Sequence, residues 1–424
     1  MNRIAWICIV LAAVATGWSQ SAAISVGSKH PAIQYLGSQP QDAVSALNAK
    51  LLTGSSHLEF DRSLGYLPAV LDALHVPVES QMMVFSKTSL QTSMIGPDNP
   101  RAIFFSDSVA VAYIRDSPTL EVIAQDPQLG AIFYTIPQQL QTQPHLLRET
   151  TCLGCHETAE TLNVTGMVVR SVFPTRDGAE FSGLAGSPTD HRTPFEARWG
   201  GWYVSGKHGP LRHVGNAVVR GVNPQEASAA PAPVPVREPL PEKFSAPGYR
   251  TPYSDVVALG VFEHQMHMMN LITRIGWEAR VIAFGRPAAP VADMEGRLRD
   301  SAKEVVDYML FVDEAPFTGR LDGNSGFAEK FSLQGPVDNK GRSLRQLDLN
   351  TRLMRYPCSY LIYSDAFNSL LPAAKNAIFL RMVEILSGQE KDPKYQRLSV
   401  TDRAAIVEIL RDTIRDLPES FGKK

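Results

Sequence analysis

The spacing of apolar positions changes character along the chain. Between residues 82 and 136, short runs rich in Val, Ile, Phe and Tyr (Met82 to Phe85, Ala102 to Phe105, Val109 to Ile114, Leu120 to Ala124, Ala131 to Ile136) are separated by turn sequences such as GPDNP and DPQLG. Runs of this length, punctuated by Pro and Gly, predict strands of a small antiparallel sheet. PTRDG at 174–178 predicts the turn of a further hairpin. Beyond residue 253 the period lengthens to that of a helix. Val257, Val261, Met268 and Leu271 share one stripe of Tyr253 to Arg280, and Leu298, Ala302, Val305, Met309 and Val312 share another. Pro372 opens a helix that stops at Gly388, and Ser399 with Asp402 reads as a capping box before the stripe Ile406, Ile409, Leu410, Thr413 and Ile414. The pattern predicts an α+β protein, with a β-rich N-terminal scaffold (24–148), a middle segment (149–221) and a mainly helical C-terminal region (253–424).

Two stretches depart from both periods. Arg3 followed by the apolar run Ile4 to Gly17 and the small residues Ser21-Ala22-Ala23 reads as a cleaved secretory signal peptide over 1–23, which predicts a periplasmic or otherwise exported protein. Its apolar run is shorter than the ~20 residues a membrane span needs, and no transmembrane segment is expected in the mature chain. Residues 222–252, rich in Pro and Ala, predict an extended strap or linker. A strap would bring the helix that follows it against the middle segment.

Composition narrows the picture less than pattern does. The 424 residues are 44% hydrophobic and 20% charged, enough for ordinary packed cores, and a formal net charge of -2 gives no attraction to nucleic acid. Oligomeric state has no signature here. Cys8 lies inside the signal, so the mature chain holds three cysteines, an odd number that excludes a full disulfide framework. Cys358, in RYPCSYLIY, reads as a buried core thiol.

The remaining two cysteines stand in Cys152-Leu153-Gly154-Cys155-His156. Chance produces such a cluster in roughly one chain in a thousand of this composition. A thioredoxin-like redox pair would follow a buried strand, whereas the approach QTQPHLLRET is polar; a zinc knuckle would need a second Cys or His pair at matching spacing. Two thiols separated by two residues on one helical turn reach both vinyl groups on one porphyrin edge, and the next residue points its imidazole at the iron. In this cluster and the export signal the chain resembles the c-type cytochromes. The stretches RWGGWYVSGKHG (198–209) and YPCSYLIYSDAF (356–367) are similar to a group of exported bacterial single-haem cytochromes with no assigned activity. The resemblance implies one covalently attached haem c, held by Cys152 and Cys155, with His156 as proximal ligand and iron-binding residue.

The opposite face of the iron decides between functions. Met167 opens the strand-like MVVRSVFP and reads as core. Distal candidates, in falling order, are His213, His208, His264 and His267. The first two lie in Asp190 to Asn216, where Trp199, Trp202 and Tyr203 offer apolar surface and Arg192, Arg198 or Arg212 suits the anionic propionates. His264 and His267 share a helical stripe; they are candidates for the haem iron, or, with His191 or His208, for a separate metal site. The leading expectation is one-electron transfer with a redox partner protein. The alternative is a haem enzyme (peroxidase-like or oxygen-using) or a haem-based sensor with an open distal site, and an interaction subunit of a respiratory assembly is a non-catalytic variant. Size favours more than a bare carrier, which needs only ~100 residues. There is no repeat, P-loop, Rossmann fingerprint or nucleophile elbow.

Overall fold

The longest ladder joins β4 (Thr119–Asp126) to β5 (Gly130–Pro137) in a computed structural model that describes residues 26–219, 236–237, 248–285 and 291–422. The turn between them follows from DPQLG: Asp126 Oδ1 accepts from Gln128 N and Leu129 N, both at 2.8 Å, and Gly130 takes φ +84°. With β1 (Met82–Val84), β2 (Arg101–Phe105), β3 (Val109–Tyr113) and β6 (Leu147–Glu149) they form an antiparallel meander. Each predicted run yields one of these strands. β7 (Val169–Ser171) pairs with β8 (Ser187–Thr189), and the PTRDG turn forms, with Gly178 N bonded to Thr175 O at 2.9 Å. A late strand, β9 (Trp202–Tyr203), adds to the free edge of β1, so the sheet runs β6-β5-β4-β3-β2-β1-β9.

Alternation sorts the sheet into two faces. Phe104, Val111, Val122 and Tyr134 point into a core shared with α1 (Ala43–Leu52) and α2 (Leu67–Ala73). Ile103, Phe105 and Ala110 point to the other side, into a larger core with the C-terminal helices. α3 (Leu153–His156) is a single turn. α4 (Val256–Gly285) crosses that second face diagonally. It starts beside β9, where Ser205 bridges Asp255, passes the β2–β3 loop, where Gln265 Nε2 donates to Ser106 O, and reaches β4, where Gln125 donates to Thr273 Oγ1. The helix is almost wholly buried, which explains an apolar pattern broader than one stripe.

Over α4 pack α5 (Val291–Met309), α6 (Phe327–Ser332), α7 (Asp365–Asn368) and α8 (Pro372–Leu386), and α9 (Val400–Thr413) packs against α8. The capping box predicted at Ser399 and Asp402 is present, and Pro372 stands in the first turn of α8. The α+β class is therefore the observed one. β10 (Ala217–Val218) pairs with β11 (Val236–Arg237). The signal sequence 1–23 lies outside the described residues, as does the Pro/Ala-rich stretch 222–252 apart from Val236–Arg237 and 248–252. Among the described residues no helix is long and apolar enough to cross a membrane.

Candidate cofactor-attachment site

The chain leaves β6 and turns at once into α3. Cys152 is the residue before the helix, and its carbonyl accepts from Cys155 N at 3.1 Å and His156 N at 3.0 Å, so both thiols and the imidazole belong to a single turn. Cys152 is half-buried and Cys155 exposed, and both are free thiols. Burial raises the Cys152 thiol above its ordinary pKa, and the Glu121 and Glu149 carboxylates add to the rise. The turn is fixed at both ends. Leu153 packs against the core of α1, α2 and the sheet, and Glu157 accepts from Ser28 N and Ser28 Oγ at 2.7 Å each.

His156 is held by the loop that follows it. Leu162 and Asn163 take left-handed φ values of 61° and 58°, turning the chain back so that Gly166 N donates to His156 O at 2.9 Å. In return His156 Nδ1 lies 2.8 Å from Gly166 O. A carbonyl only accepts, so Nδ1 carries the proton and Nε2 keeps a lone pair. Nε2 makes no hydrogen bond among the described residues. Burial lowers the imidazole pKa, which favours the neutral, ligating form. The ring rests on Phe133 of β5 at 4.8 Å between centroids.

The loop itself is clamped from two sides. Ala131 N donates to Thr165 O at 3.0 Å, and Asn270 of α4 grips the Met167 backbone, with Nδ2 to O at 2.7 Å and Oδ1 from N at 3.3 Å. A Cβ on Gly166 would meet Asn270 Oδ1 at 2.0 Å, so only glycine allows this approach. Met167 itself packs against the larger core.

Beside His156 the second sheet face is only half covered. Register aligns Ile103, Ala112, Glu121, Thr135 and Leu147 in one cross-strand row. Ile103 is buried, Ala112, Glu121 and Thr135 are half-buried, and Leu147 is exposed. Glu121 accepts from Gln91 Nε2 at 2.9 Å and faces Arg101 of β2, with Nη1 to Oε2 at 3.9 Å. Sequence reading missed Arg101, Glu121, Gly166 and Asn270. The available signal was the alternation in β4, which puts Glu121 between Leu120 and Val122 on the face opposite the apolar core.

The four histidines expected as distal candidates fall into two groups. His208 and His213 follow β9 and touch each other at 4.7 Å between ring centroids; His213 also meets Trp199 at 5.3 Å. His208 Nδ1 pairs with Leu211 O at 2.7 Å. β9 and β5 are five strand positions apart, roughly 24 Å across a sheet with ~4.8 Å spacing. His264 is fully buried, with Nδ1 2.8 Å from His191 Nδ1 and Nε2 2.8 Å from Ser359 Oγ, in a stack with Tyr308 and Phe311. His267 Nε2 lies 3.1 Å from Arg192, which forks onto Asp190. It stands one helical turn from Asn270, the residue that grips the loop bonded to His156. Burial drives His264 down to about 3 and His267 to about 4. Arg198 is buried and bonded to Thr193 O, His191 O and Glu263, while Arg212 is exposed. Burial pushes Glu263 up to about 7 against the opposing charge of Arg198. Among the described residues no group of three or more His, Cys, Asp or Glu side chains is arranged to hold a metal ion. Cys358 is fully buried in the larger core, which pushes its thiol up to about 12.

No known protein family, curated protein or solved structure matches the chain.

Proposed function

We propose that the chain is an exported, periplasmic single-haem c-type cytochrome that passes one electron at a time between redox partners. The observation that carries this reading is the arrangement on α3: two free thiols and a neutral imidazole on one turn, the imidazole anchored through Nδ1 to Gly166 O and Nε2 without a hydrogen bond among the described residues. Cys152 and Cys155 would tether the haem and His156 would ligate it, a donor set that fits the group. When bound, the porphyrin iron supplies a reversible one-electron couple.

The protein's own share is positional. Gly166 fixes the tautomer and the ring plane of His156, and strengthens it as a donor, as a carbonyl partner does for any metal-ligating histidine. Asn270 ties that carbonyl to the central helix, so ring orientation is set by the core rather than by a free loop. Phe133 closes one side of the ring against water.

A second reading, a haem enzyme or sensor with an open distal position, is favoured by the placement of the histidines. His208 and His213 stand beyond the opposite edge of the sheet, and His264 has both nitrogens engaged. Optical spectra of ferric and ferrous protein, with and without carbon monoxide, separate the two. A low-spin spectrum unmoved by carbon monoxide supports electron transfer, whereas high-spin ferric iron with ready binding supports the second reading. Single alanine replacements of His213, His208, His264 and His267 then show which one, if any, changes the spin state.

A further inference from the structure

Arg101 presents an unspent guanidinium on the sheet face that carries His156, near enough for its charge to act on the imidazole. A guanidinium carries five N–H donors. Arg101 uses none of them in a hydrogen bond among the described residues, and its Nε is buried without a partner. Its only ionic neighbour among the described residues is Glu121, at a separation of 3.9 Å that is too long for a hydrogen bond. Glu121 is meanwhile bonded to Gln91. A buried donor with no acceptor carries a desolvation cost that folded proteins avoid unless something supplies the acceptor. Arg198 and Arg192 differ: Arg198 is bonded to backbone carbonyls and Glu263, and Arg192 is forked onto Asp190.

Sheet register fixes where this guanidinium stands. Glu121 pairs with Thr135, which is two residues from Phe133 on the same face of β5, and Phe133 carries the His156 ring. Arg101, on β2, reaches across β3 toward Glu121, on β4, on the sheet face that carries the His156 ring; their side chains are only 17% and 26% exposed. Along the row of Glu121 and Thr135, half-buried Ala112 and exposed Leu147 add apolar surface to a fork of donors that has no hydrogen-bond acceptor among the described residues, the combination that a flat apolar ligand with carboxylates at its edge requires.

Resting on the haem reading above, we infer that Arg101 binds a carboxylate of the tethered cofactor, and that Glu121 beside it is the opposing charge that limits the cation's influence on the iron. The test is the reduction midpoint of mass-verified, cofactor-loaded protein at one fixed pH and ionic strength. Ferric iron carries one more positive charge than ferrous, so a nearby cation favours reduction. Arg101→Leu is expected to lower the midpoint, Glu121→Gln to raise it, and Arg101→Lys to return it toward the wild-type value. Arg320→Leu, which replaces an exposed arginine ion-paired with Asp322, is expected to leave it unchanged. If Arg101→Leu does not fold, the Glu121→Gln and Arg101→Lys arms still decide. Loaded Arg101 variants with the wild-type midpoint would overturn the assignment. So would a wild-type midpoint that shifts with added acetate while that of an Arg101 variant does not, since Arg101 would then take a free carboxylate. Wild-type protein that carries no cofactor at all would instead overturn the haem reading.

Discussion

At the residue scale the site depends on contacts made by groups with no chemistry of their own. Gly166 is the sharpest case, because a methyl there would meet Asn270 Oδ1 at 2.0 Å. Gly166→Ala is expected to cost about 1–3 kcal/mol in chemical denaturation by forcing Asn270 off the Met167 backbone. The double variant Gly166→Ala with Asn270→Ala should be no less stable than Asn270→Ala alone, because the clash is gone; additive losses would show that the two residues do not meet. The buried charges make a prediction in pH. Glu263 is raised to about 7 by burial, so its contribution is fully present below the ordinary carboxyl range and is lost as pH rises through about 7. His264 and His267, depressed to about 3 and about 4, contribute above the ordinary imidazole value and lose that contribution as pH falls toward those values. The stability of wild type relative to Glu263→Gln should therefore fall by on the order of 3 kcal/mol between pH 4.5 and 7, then level off. Equal pH slopes for the two proteins would contradict a raised Glu263.

At the element scale, α4 organises the molecule, and its start is set by one carboxylate. Asp255 Oδ1 accepts from Val257 N at 2.8 Å and Ala258 N at 3.1 Å, while Oδ2 accepts from Asn324 N, Ser325 N and Ser325 Oγ. Asp255→Ala removes a helix cap and strands buried donors together, an expected loss of about 2–4 kcal/mol. Urea melts of the two proteins measure it. Sequence pattern found α4 because its apolar positions recur with the helical period, and found the meander because its runs alternate between turn residues. It missed β9, which is two residues long inside a glycine-rich loop and exists only because β1 offers an open edge. The attachment cluster was legible since three reactive residues sit within five positions of the chain. Arg101 and Glu121 were not, because their nearness to His156 comes from strand pairing that only the folded sheet creates.

At the scale of the whole molecule, two cores on opposite faces of one sheet hold the α3 turn at the boundary between them. Leu153 enters one core, and Met167, past the loop bonded to His156, enters the other. This placement gives a rigid imidazole at a surface-accessible turn, with one thiol exposed. The central claim is that a haem is joined covalently to this turn. It is tested most directly by the intact mass of the protein produced in a host equipped for such attachment. The expected mass exceeds that of the polypeptide by one haem, and the increment is lost in the Cys152→Ala, Cys155→Ala double variant. A wild-type mass equal to that of the bare polypeptide would contradict it.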